Sequence, residues 1–137
     1  MKILIPIDGS DCSRATLAWA AQTLSKENNE FILLTVVADP MVAEYEIEDG
    51  KVMLKEAQNF LTEHGFKVSK ADYFQGDPVE TICMRAEKEM ADQVLIGSHG
   101  RSGIVKLLLG SVSEGVLEKC KVPVFVYRNV TRSAVTA

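Results

Sequence analysis

Ile3-Leu4-Ile5-Pro6-Ile7-Asp8-Gly9-Ser10 stands near the start of the chain. Its apolar run is nearly continuous rather than alternating, the pattern of a short strand buried on both faces. Such strands belong to parallel sheets covered by helices. Ser10 and Asp11 then offer helix caps, and Leu17, Ala20, Ala21 and Leu24 follow on one helical face. Trp19 lies off that stripe, at a packing boundary.

The alternation of strand and helix continues along the chain. Phe31 to Val37 form a second apolar strand. Glu44 to Asp49 read as a solvated connection or as the frayed start of a long helix. That helix carries Met53, Ala57, Phe60, Leu61 and His64 at helical spacing, with His64 at its end and Gly65 suited to a left-handed cap. Val68 to Phe74 alternate weakly, as an outer strand does. Asp77-Pro78-Val79-Glu80 combines an N-cap, a proline at the first helical position and a capping-box glutamate. The buried face of that third helix is Val79, Ile82, Cys83, Ala86 and Met90. Val94 to Gly97 make a fourth strand. Ser111 to Cys120 form the last helix, with Val112, Val116, Leu117 and Cys120 inward, and Val122 to Tyr127 a fifth strand. The fold class is therefore α/β: a mainly parallel, open five-stranded sheet with helices on both faces. One domain is expected over residues 1–128, with a loose tail at 129–137.

Composition agrees with a globular chain of 137 residues, 47% hydrophobic and 25% charged. No apolar stretch approaches the ~18 residues that span a bilayer, so membrane insertion is not expected. Pro6 and Asp8 interrupt the first apolar run too early for a signal peptide, which points to a cytoplasmic location. The net charge of −4 argues against nucleic acid as a partner. Cys12, Cys83 and Cys120 form no C-x-x-C pair and read as separate thiols of a reducing compartment rather than as a disulfide or zinc framework.

Open parallel sheets bind ligands beyond the carboxyl ends of their strands. Two such ends are unusual in this chain. Pro6-Ile7-Asp8-Gly9-Ser10 follows the first strand, and Gly97-Ser98-His99-Gly100-Arg101-Ser102-Gly103 follows the fourth. Gly110-Ser111-Val112-Ser113 then opens the last helix. Gly97 and Gly100 are expected to turn with positive φ and to let a ligand approach the backbone. The N–H groups of such a turn, and those at the start of a helix, attract anions. Ser111 and Ser113 add hydroxyl donors, Arg101 and Lys106 add charge, and Asp8 suits ribose hydroxyls or a metal held through water. Each feature also has an ordinary structural use: Ser111-x-x-Glu114 is a capping box, Asp8 caps a loop, and His99 bonds to backbone. Their coincidence at two strand ends and one helix start favours a nucleotide cleft. Neither a G-x-x-x-x-G-K-[ST] loop nor a G-x-G-x-x-G after the first strand is present.

The glycine pattern G-x2-G-x9-G-[ST], here Gly97, Gly100 and Gly110-Ser111, resembles that of the ATP-binding universal stress proteins. Ile3 to Ser10, Asp77-Pro78 and Val122-Pro123-Val124 extend the resemblance over nearly the whole chain. The resemblance implies a Rossmann-like fold, of the adenine nucleotide alpha hydrolase-like type, with strand order 3-2-1-4-5. It also implies ATP, ADP or AMP as ligand, with Mg²⁺ as a companion. Pro6, Ile7, Asp8 and Val36 would then line the adenine and ribose region. Ile96, Gly97, His99 and Gly100 would flank the nucleotide, and Arg101, Gly110, Ser111, Val112 and Ser113 would lie by the phosphates. A homodimer through Val122 to Tyr127 and a further protein partner that reads nucleotide occupancy complete the expectation. No catalytic residue is assigned. The rival reading is a slow ATPase, autokinase or adenylyl-transfer enzyme that uses Asp8 with Mg²⁺, or His99 as acid, in the same cleft.

Overall fold

The computed structural model describes residues 1–38, 41, 44–100 and 109–128. The strands are β1 (Lys2–Pro6), β2 (Glu30–Val37), β3 (Lys67–Gln75), β4 (Gln93–Gly97) and β5 (Val124–Tyr127). They alternate with α1 (Asp11–Thr23), α2 (Glu44–Glu63), α3 (Pro78–Lys88) and α4 (Ser111–Lys119). The strands form one parallel sheet in the order β3-β2-β1-β4-β5, as the sequence led us to expect.

The nearly unbroken apolar character of β1 has a direct cause. Ile3, Ile5 and Ile7 face a core built with Leu17 and Ala20 of α1 and Leu54, Ala57 and Leu61 of α2. Leu4 faces the opposite core, with Ile82 and Ala86 of α3 and Val116 of α4. A strand with helices on both sides has no face left for water.

Local signals set the helix ends. Ser10 caps α1, its side chain accepting from the Ser13 N–H, and Asp77 caps α3 by accepting from the Glu80 N–H at 2.9 Å. Gly65, at φ 87°, turns the chain out of α2. The acidic segment from Glu44 onward belongs to α2 and is not a separate connection.

Four expectations need correction. Met90 lies past the end of α3 with φ 55° and is exposed, so it adds nothing to the buried face. Leu117 is also exposed, because the nine-residue α4 turns only the stripe of Ser113 and Val116 fully inward. The last strand is shorter than expected, although the carbonyl of Pro123 still accepts from the Val94 N–H at 2.9 Å. Finally, Cys83 and Cys120 are joined by a disulfide, and Cys12 alone is free. The 37-residue separation hides this pair in the sequence, and only the packing of α3 beside α4 brings it together. The tail at 129–137 lies outside the described residues.

Candidate functional site

Pro6 is what opens the sheet. The Ile7 N–H donates to the Leu34 carbonyl of β2 at 2.8 Å. Backbone groups of consecutive strand residues point to opposite sides, so the nitrogen of Pro6 faces β4. Proline has no donor there, and the β1–β4 pairing stops at Leu4↔Val94 while β1–β2 continues to Pro6↔Leu34. Past that point β1 and β4 lead into loops that pass on either side of a cleft.

The cleft holds a cavity of about 270 Å³, near the ~300 Å³ lower end of small-molecule sites. Pro6 at the end of β1 and Ile7 and Asp8 just after it line one side, with Val36 from β2 and Ile96 and Gly97 from β4. His99 and Gly100 come from the following loop, and Gly110, Ser111, Val112 and Ser113 from the start of α4. Every candidate residue that falls among the described residues therefore borders one space. Arg101 and Lys106 lie outside the described residues. Three lining residues were not singled out from the sequence: Ser13, Pro78 and Ile82. The last two had been read only as a helix start and a core position. Their place in the wall depends on where α3 crosses the sheet, which no local pattern records.

The two carboxylate oxygens of Asp8 have different surroundings. Oδ1 accepts from the Ser10 N–H at 2.9 Å and so fixes the turn into α1. Oδ2 faces Gly100, where an added Cβ would stand only 2.8 Å away. At Gly97 an added Cβ would meet the Cys12 sulfur at 2.9 Å. Neither glycine has positive φ, contrary to expectation. Gly100 is small because the loop after β4 lies against Asp8 in the loop after β1, and Gly97 because the end of β4 lies against Cys12 and Thr16 of α1.

The start of α4 also differs from expectation. Gly110 is the N-cap and has no side chain to offer, while Ser111 is the first helical residue rather than a capping serine. The first N–H groups of α4 thus lack a side-chain cap, the arrangement in which a helix end accepts an anion. The Ser113 hydroxyl approaches the carbonyls of Ser98 and Gly110 at 2.8 and 3.0 Å. Its proton is committed to these carbonyls, so Ser113 anchors the loop instead of pointing a donor outward. The Gly110 N–H donates to the same Ser98 carbonyl. Nδ1 of His99 lies 3.0 Å from the Ser98 hydroxyl, which is itself buried. The result is an apolar wall of Val36, Pro78, Ile82, Ile96 and Val112 facing a polar rim of Asp8, His99 and Ser111.

Among the described residues no group of three or more His, Cys, Asp and Glu side chains is placed to hold a metal ion. Among the described residues Asp8 is the only carboxylate in the lining, so Mg²⁺ would fit as a companion of ligand phosphates and not in a site of its own.

The profile of the Universal stress protein family matches residues 1–128. The chain belongs to this family. Universal stress protein MJ0531 of Methanocaldococcus jannaschii is 31% identical, the match covering 93% of this chain and 81% of that one. Universal stress protein MJ0577 of the same organism is also 31% identical, over 93% and 94% of the two chains. A solved structure of MJ0577 superposes with a TM-score of 0.83 over 95% of this chain and 96% of that one. A universal stress protein solved in complex with cAMP is 25% identical, with a TM-score of 0.73 over 93% and 96% of the two chains.

Proposed function

We propose that this universal stress protein binds an adenine nucleotide, ATP first among them, in the cleft between β1 and β4. We further propose that it acts as a nucleotide-responsive regulator in stress adaptation. One observation carries the reading: residues chosen from the glycine pattern and the first strand border a single cavity with an uncapped helix start on one side. The aliphatic wall suits the faces of a purine, Asp8 suits ribose hydroxyls, and the N–H groups at Ser111 to Ser113 suit phosphate. The relative solved with cAMP supports an adenine nucleotide as the class of ligand. It also favours a second reading in which the cyclic nucleotide itself occupies the cleft.

Isothermal titration of nucleotide-free protein with ATP, ADP, AMP and cAMP, with and without Mg²⁺, tests both readings. Micromolar binding of ATP that is at least tenfold tighter than that of cAMP is expected. Preference for cAMP would transfer the assignment to the cyclic nucleotide, and absence of heat with all four would remove it.

A homodimer through β5 belongs to the same proposal. β5 is an edge strand, and Phe125 on it is 53% exposed. A second copy would cover that edge, leaving the loops around the cleft for a further protein partner. Among the described residues no helix is long and apolar enough to cross a membrane.

A further inference from the structure

The disulfide joins two walls of the cavity. Cys83 follows Ile82, a lining residue of α3, and Cys120 is the C-cap of α4, whose first residues line the cavity. The two Cα atoms are 4.8 Å apart, and both residues are half-buried, within reach of small solutes. The helices already touch closely at Gly115, where an added Cβ would stand 2.7 Å from a Val79 methyl. A domain with Ile3, Leu4, Ile5, Phe31 and Leu33 fully buried has a core of its own and no need of a covalent staple to fold. The crosslink ties the helix that carries Ile82 to the C-terminal end of the helix whose first residues line the cleft.

We propose that Cys83–Cys120 is a reversible thiol–disulfide switch that sets how tightly the cavity holds nucleotide. The proposal rests on the nucleotide reading above. The oxidant is a small-molecule disulfide such as oxidised glutathione. One cysteine thiolate attacks a sulfur of that disulfide, forming a mixed disulfide and releasing one thiolate. The second cysteine thiolate then attacks the protein-bound sulfur and expels the other. The protein loses two protons and two electrons, and the oxidant becomes two thiols. In the crosslinked state α3 and α4 cannot move apart, so Ile82 and Val112 are already in position when ligand arrives. A pre-arranged wall removes part of the ordering cost of binding.

The test is titration of ATP into the chain equilibrated with oxidised glutathione and into the chain held in dithiothreitol. Intact mass confirms each state, the oxidised chain being lighter by two hydrogens. ATP is expected to bind at least threefold more tightly to the oxidised chain. Cys120→Ser and Cys83→Ser are expected to bind like the reduced chain under both conditions. Equal affinity in the two verified states would overturn the switch and leave the nucleotide reading intact. Failure of the bond to form under oxidant would also overturn it. Absence of ATP binding in both states would instead defeat the nucleotide reading, and the switch with it.

Discussion

Gly100 and Asp8 show how a single contact ties the two loops of the cleft together. An alanine at position 100 would bring its Cβ to within 2.8 Å of Asp8 Oδ2, and a side chain that also holds the Ser10 N–H has little freedom to retreat. Because Gly100 does not have positive φ, the substitution costs space and not backbone strain. Gly100→Ala is therefore expected to weaken ATP binding about tenfold, near 1.4 kcal/mol, with the fold retained and only a small fall in melting temperature. Calorimetric titration and thermal unfolding of the same sample check this, and wild-type affinity would refute it. The spacing of Gly97, Gly100 and Gly110 made these residues legible in the sequence. The physical reason for Gly97 and Gly100 was not, because the atoms that exclude a Cβ there belong to Cys12 and Asp8, far away along the chain.

Among the elements, apolar runs, helical periodicity and cap residues identified every described strand and helix. They could not show which side chain crosses to which neighbour. Glu89, the C-cap of α3, is an example: both its oxygens lie within 3 Å of the Lys70 ammonium on β3, and Arg85 stands 3.8 Å away. The hydrogen bond from Lys70, helped by the charges of Lys70 and Arg85, holds the Glu89 carboxyl below its usual pKa. The folded chain thus binds this proton more weakly than the unfolded chain. The resulting stability is complete above the unfolded pKa and is lost as pH falls through the folded one. For a half-exposed pair the gain is small, roughly 0.5 kcal/mol. Urea unfolding should show wild type ahead of Glu89→Gln at pH 7, with the gap closing as the pH falls below the ordinary carboxylate range. A gap that does not change with pH would refute the linkage. Cys83 and Cys120 were misread for the same reason as Glu89 was overlooked, because a contact between two elements leaves no trace in the repeat of either one.

For the whole molecule, the strand order decides which surfaces remain open. β3 and β5 are the edges, and they differ in character. β3 carries Lys67 and Lys70, paired with Glu30 and Glu89, whereas β5 presents Phe125. Charges protect an edge from further pairing, and an exposed aromatic ring invites it. Sedimentation at micromolar concentration is expected to give a dimer for wild type and a monomer for Phe125→Asp, with circular dichroism unchanged. A monomeric wild type would contradict the β5 interface.

The same edge has an optical consequence. Trp19, the chain's single tryptophan, stacks on Phe125 and Tyr127 with ring centroids 5.9 and 5.8 Å apart. Indole emission from this protein therefore arises at one address, beside β5 rather than in the cleft. Its wavelength and quenching would report coverage of that strand without any attached dye.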